Sequence, residues 1–134
     1  MTAIDPTEPG ALETRSSIWR LRQDGLLHSV VKPGAHHTLE DAVANVEACR
    51  TLSPGRRRPL LVDIRQGPGV DRAARTYYAG PEGAGVATAT ALLVGSPTSR
   101  IVANFFLGLN RMQIPLRLFT DEEAAVAWLR GYLE

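Results

Sequence analysis

Apolar and polar positions along this chain alternate with two different periods. In residues 14–34, TRSSIWRLRQDGLLHSVVKPG, Ile18, Trp19 and Leu21 precede Asp24-Gly25, and Leu27, Val30 and Val31 follow it. Asp-Gly between two such runs predicts a β-hairpin, closed by Pro33-Gly34. From Thr38 the period lengthens: Leu39, Ala42, Val43, Val46 and Cys49 or Arg50 follow helical spacing. Thr38 is a suitable N-cap with Asp41 three residues on, and Ser53-Pro54-Gly55 ends the helix. RRPLLVDIR, residues 57–65, predicts a central strand, because its apolar run is nearly continuous. Gly67-Pro68-Gly69 breaks it. VDRAARTYYAG then predicts a short helix stopped by Gly80-Pro81, and GPEGAGVATATA a loop with one helical turn leading into a strand. The strand is ATATALLVG. A helix over Ser96–Leu109, a strand at IPLRLFT and a last helix complete the series. Thr120 and Glu123 form the capping box of that last helix, which buries Ala124, Val126 or Ala127, Trp128 and Tyr132.

The order is β-β-α-β-α-β-α-β-α. Repeated strand–helix alternation predicts an α/β domain with a mostly parallel five-stranded sheet and right-handed crossovers. The hairpin supplies an antiparallel edge strand. Along the central strand Leu60, Val62 and Ile64 share one face, and Leu61, Asp63 and Arg65 the other. Leu116 and Leu118 likewise oppose Arg117 and Phe119. One face is wholly apolar and the other mixed, so the helices should crowd one side. The other would be covered thinly or by a partner.

Totals add constraints. A length of 134 residues suits one domain that buries its own core. Residues 1–11, with Pro6, Pro9 and Gly10, read as a disordered lead, and 12–134 as the domain. Net charge is +1, which gives no electrostatic case for nucleic acid. Lys32 is the single lysine, and the excess of arginine fits genome base composition. The one cysteine, Cys49, implies no disulfide and no oxidising compartment. No apolar stretch approaches the roughly 18 to 20 residues of a membrane span. MTAIDPTEPG lacks the features of a signal peptide, so a cytoplasmic location is the expectation.

Four stretches carry a family resemblance: DGLLHSVVKPGAHHTLEDA, PLLVDIR, SPTSRIVANFFLGLN and PLRLFTDEEAAVAWL. With the element order, they make residues 18–134 resemble the STAS domains, the SpoIIAA-like (anti-sigma-factor antagonist) fold. The likeness is to a poorly characterised bacterial branch of it. The antagonists carry a phosphorylated serine, in Asp-Ser-Ser-Gly or Asp-Ser-Ala-Gly, at the start of the helix after the third strand. Here that place reads QGPGVDRAAR, with no serine or threonine between Arg65 and Arg75. The resemblance thus implies the fold and an interaction role without the phosphorylation switch.

Candidate chemistry centres on the strand-end rim. Ser96 can cap the helix at 96–109, and Pro97 suits its first position. Capping leaves Thr98, Ser99 and Arg100 unexplained. The helix N-terminus with Ser96, Thr98, Ser99 and Arg100, together with Arg65 and Arg72, could form an anion or partner site. The competing reading is a helix cap beside solvated arginines. Phe105 and Phe106 cannot both face the sheet, so one is free to contact a partner or an apolar ligand. Gly67-Pro68-Gly69 lacks any phosphate-loop pattern. His36-His37 reads as a solvated pair with no zinc spacing, His28 as half-buried, and Asp63 as the structural partner of an arginine or backbone N–H. No nucleophile motif stands out. The expected function is therefore a non-catalytic protein-interaction or regulatory module with a protein partner or a second copy of itself. It would dock through the Gly67–Arg75 turn and the Ser96–Arg100 helix start, with neither cofactor nor metal. The alternative is a domain for a small ligand, anion or lipid, using the same rim and Phe105/Phe106.

Overall fold

The computed structural model describes residues 4–95 and 113–133. Its strands are β1 (Leu12–Glu13), β2 (Ser17–Leu21), β3 (Leu27–Val31), β4 (His36–His37), β5 (Arg58–Asp63), β6 (Gly69–Val70), β7 (Ala87–Leu93) and β8 (Leu116–Phe119). The helices are α1 (Leu39–Leu52), α2 (Arg72–Ala79), α3 (Pro81–Ala84) and, last, α4 (Glu122–Arg130). One sheet runs β1-β2-β3-β5-β7-β8, and β4 pairs with β6 in a separate parallel ladder. Pairings from β3 to β8 are parallel, while β1-β2 and β2-β3 are antiparallel. The five expected strands are all present, and β1 adds a sixth at the antiparallel edge.

Local chemistry explains the elements. Asp24 and Gly25 turn the β2-β3 hairpin, where Gly25 takes φ +91°, a conformation glycine adopts without a Cβ penalty. Thr38 caps α1 in a full capping box, its hydroxyl accepting from Asp41 N while the Asp41 carboxylate accepts from Thr38 N. The last helix is capped one residue later than the sequence pattern suggests. The Asp121 side chain accepts from Ala124 N, so Asp121, not Thr120, is the N-cap. The buried face shifts with it, to Ala125, Val126 and Leu129, with Trp128 and Tyr132 packed alongside. Ala124 and Ala127 are exposed.

The sheet faces differ as their residues dictate. On the mixed face, Leu61, Ala89, Ala91 and Leu93 pack against α4. On the other, Trp19, Leu27, Val46 and Cys49 form a cluster joined by Leu60, Tyr77 and Tyr78, so α1 and α2 cover that side. The lead is described from residue 4. Ile4 is buried and Glu8 pairs with Arg20 of β2, while Asp5 accepts from Thr7 within the lead itself.

Candidate functional site

The site begins on α1. Its inward stripe is Ala42, Asn45, Val46 and Cys49, while Leu39 and Val43, expected on that stripe, are 42% and 44% exposed. The stripe therefore carries one polar residue, Asn45, into the layer between α1 and the sheet. Four hydrogen bonds satisfy it. Its Oδ1 accepts from the Trp19 indole Nε1 at 3.1 Å and from Thr14 Oγ1 at 2.8 Å. Its Nδ2 donates to Ser16 Oγ at 3.0 Å and to the Tyr78 hydroxyl at 2.9 Å.

This network sets a proton downstream. Trp19 Nε1 can only donate, which fixes the amide orientation of Asn45. Tyr78 therefore accepts from Asn45, and its own proton is free for His37 Nδ1, 2.9 Å away. Giving that proton to His37 Nδ1 leaves the fewest polar groups unpartnered and assigns His37 as a neutral imidazole with its proton on Nε2. Burial, which disfavours the charged ring, holds its pKa below the ordinary value and agrees with this form. His37 is 6% exposed, and its Nε2 finds no hydrogen-bond partner among the described residues. Nearby Asp41 is 4% exposed and paired with Arg15, whose hydrogen bonds hold its carboxyl far below the usual carboxylate range.

Trp19, His37, Asn45 and Tyr78 border a cavity of about 110 Å³ between the apolar sheet face and the helices. Trp19, Val46, Cys49, Leu60, Val62 and Leu92 provide apolar wall, and His37, Asn45, Tyr78, Ser29 and Thr90 also line it. No described lining residue carries a formal charge. Left empty, a void of this size costs roughly 2 to 3 kcal/mol, at about 24 cal/mol per Å³. Gly83 permits the close packing of α3 on α2 at its edge, since a Cβ there would lie 2.0 Å from the Tyr78 carbonyl oxygen. Cys49 is buried in the wall, and its thiol is pushed up to about 12 by desolvation, so it is an inert apolar group.

The rim residues fare differently. Arg65 clamps Asp63 with Nε on Oδ1 at 3.0 Å and Nη2 on Oδ2 at 2.7 Å, and its stem lies against Gly95. Asp63, 3% exposed, is thus held in the core as an arginine's partner. Arg72 opens α2 and lines an open surface groove with Leu39, Ala73, Tyr77, Pro81 and Glu82. Arg65 and Arg72 therefore serve separate surroundings. Ser96, Thr98, Ser99, Arg100, Phe105 and Phe106 lie outside the described residues. His36 is half exposed and pairs with Asp71, whereas its neighbour His37 is buried, so the two are not one solvated pair. His28 is 2% exposed on the mixed face rather than half-buried. No group of three or more His, Cys, Asp or Glu suited to a metal occurs among the described residues.

Sequence spacing held a clue to the missed residues. Asn45 lies three residues after Ala42 and four before Cys49, which marks it as a polar group on the buried stripe. His37 immediately precedes the N-cap, a position whose side chain commonly turns inward against the first turns of the helix.

Comparison with known proteins supports the architecture. A protein of the DUF3478 family from Shewanella loihica PV-4, described as having a SpoIIAA-like fold, is similar with a TM-score of 0.52. It is 18% identical, over 90% of this chain and 90% of its own. A protein of unknown function from Arthrobacter sp. FB24 is 31% identical over 88% of this chain and 95% of its own, with a TM-score of 0.35. No match was found among curated proteins. Among the described residues no helix is long and apolar enough to cross a membrane. The fold is SpoIIAA-like, and a family model that matches residues 19–133 shows that the chain belongs to the family described as a domain of unknown function, DUF7793.

Proposed function

We propose that this domain is a non-catalytic interaction module that docks a partner protein on the face formed by α1, α2 and α3. The observation that carries this reading is the pair Leu39 and Val43, one helical turn apart and 42% and 44% exposed. Leu39 lines a groove with Ala73, Tyr77 and Pro81, with Arg72 and Glu82 among its polar residues. An apolar centre with a charged rim is the anatomy of a protein interface. An amphipathic segment of the partner fits it, with apolar side chains in the groove and a carboxylate on Arg72. The reading as a module without catalysis draws support from Asp63, the carboxylate best placed by sequence for chemistry, which is engaged by Arg65.

Affinity capture from the source cell with wild-type protein and a Leu39→Glu/Val43→Glu variant tests the proposal. A partner retained by the wild type and lost with the folded variant is expected. A partner retained equally by both, or by neither, refutes it. Sedimentation of the same two proteins identifies a second copy of the chain as the partner if the wild type is a dimer and the variant a monomer.

A further inference from the structure

The six-stranded sheet ends differently on its two sides. The β2 side is closed by β1, whose Leu12 and Glu13 pair with Trp19 and Ile18. β8 stands at the other side, and no further described strand pairs with it. The Pro115 and Phe119 carbonyls accept from Thr90 N and Val94 N at 2.9 and 2.8 Å. Backbone groups alternate in direction along a strand, so the N–H and C=O of Leu116 and of Leu118 point away from β7. Among the described residues nothing pairs with them, and such a row is a template for another strand.

The side chains of this edge specify what can pair there. Leu116 and Leu118 lie on the apolar face, packed with Val62 and Ile64 against Leu92 and Val94, while Arg117 and Phe119 lie on the other face. Arg117 is exposed and has no carboxylate partner among the described residues. Its guanidinium carbon sits 5.1 Å from the Phe119 ring centroid, and that ring packs on Trp128 at 5.6 Å. The aromatic shelf thus holds a cation at the middle of the edge. A second copy of the chain is disfavoured by it. Antiparallel self-pairing that bonds both leucines, Leu116 to Leu118 of the other copy and the reverse, sets the two Arg117 side chains directly opposite, and like charges so placed are destabilising. An acidic residue in that place reverses the sign. Apolar residues on each side of it fall opposite Leu118 and Leu116 and continue the apolar face.

We propose that the free edge of β8 docks an extended acidic segment of another protein, which adds an antiparallel strand with a carboxylate opposite Arg117 and an apolar residue on each side of it. Backbone hydrogen bonds to Leu116 and Leu118 hold the strand, and the Arg117 pair sets its register and selects its sequence.

The probes are two blocked pentapeptides, Thr-Val-Glu-Val-Thr and Thr-Val-Lys-Val-Thr, titrated into the full chain and followed by amide NMR. With the glutamate peptide, the Leu116 and Leu118 amide protons should move downfield in a saturable way and exchange more slowly with solvent. Those of Arg117 and Phe119, which face β7, should keep their exchange rates. The lysine peptide should bind about fivefold more weakly, and in Arg117→Glu the order of the two peptides should invert. Absence of saturable shifts with the glutamate peptide up to its solubility overturns the site. So do equal affinities for the two peptides, or shifts that leave the Leu116 and Leu118 amides unprotected. Slowed exchange at these two amides that grows with protein concentration in the absence of peptide assigns the edge to a second copy and overturns the proposal as well. The Leu39→Glu/Val43→Glu variant should bind the glutamate peptide as the wild type does, so this edge and the face of α1, α2 and α3 stand or fall separately.

Discussion

Lowering the pH should destabilise this protein through its buried imidazoles, His28 foremost, before any carboxylate is protonated. His28 lies on β3 between Arg20 of β2 and Leu61 of β5, 2% exposed, with neither ring nitrogen hydrogen-bonded among the described residues. Desolvation is the largest effect on it. Arg22, Arg20 and Arg65 add repulsion, which Asp63 offsets in part, and together they push its pKa from 6.5 down to about 4. The unfolded chain therefore takes up a proton near pH 6.5, and the folded chain does not until about pH 4. The stabilising contribution is complete above 6.5 and is lost as pH falls through this window. At about 1.36 kcal/mol per pKa unit, the loss amounts to about 3 kcal/mol. Asp41, held low by Arg15, adds its own loss only under the ordinary carboxylate value of 3.8. Urea unfolding at pH 7.5, 6.5, 5.5 and 4.5 on wild type and His28→Leu isolates the effect. Leucine fills similar space without an orphaned polar ring, so the variant should be more stable at pH 7.5 by about 1 kcal/mol. Its advantage should widen by about 2 to 3 kcal/mol by pH 4.5. His37 also titrates low, but in both proteins, so the difference between them belongs to His28. Parallel curves for the two proteins would refute the reasoning.

Two further outcomes follow from the polar network and the cavity wall. Asn45→Leu leaves Trp19 Nε1, Ser16 and Tyr78 without their buried partner and should cost about 3 kcal/mol in urea unfolding at pH 7; a loss under about 1 kcal/mol would mean these groups find other partners. The Cys49 thiol, raised from 9.0 to about 12, should react with a disulfide reagent at pH 8 roughly a thousandfold more slowly in the folded chain than in urea, and comparable rates would show that the wall opens readily.

Periodicity made the framework legible because each strand and helix buries a face by its own local pattern. The Asp24-Gly25 turn, the Thr38–Asp41 box and the split between Leu60/Val62/Ile64 and Leu61/Asp63/Arg65 stand in the structure as the residues suggest. Boundaries depended on finer competition. Thr120 and Asp121 are both good caps, and only backbone geometry selects Asp121. The rotation of α1 was misread for a similar reason. Leu39 and Val43 fit the helical period as well as Ala42 and Val46 do, and it is the demand of Trp19, Ser16 and Tyr78 for Asn45 that turns the helix. Long-range partnerships of that kind leave no trace in local spacing. The cavity was illegible for the same cause: its wall gathers residues from Trp19 to Leu116, which no single segment brings together.

The segment after β5 bears on how such a module could be controlled. In the antagonists that this chain resembles, a serine at the start of the following helix carries the switch, and here there is none. The replacement is a set of fixed contacts. β6 pairs with β4, and the Asp71 amide donates to the His37 carbonyl. The Asp71 carboxylate goes to His36 instead of capping α2, and Arg75 Nη1 donates to the Val70 carbonyl. A Cβ on Gly67 would come within 2.7 Å of Val31, so the turn sits directly on the sheet. A phosphate added here would have to break this ladder rather than fill a waiting site. Yet the ladder runs through His37, whose carbonyl anchors Asp71 while its ring borders the cavity. His37 therefore joins the interior network to the segment that carries Arg72 and begins the proposed docking face.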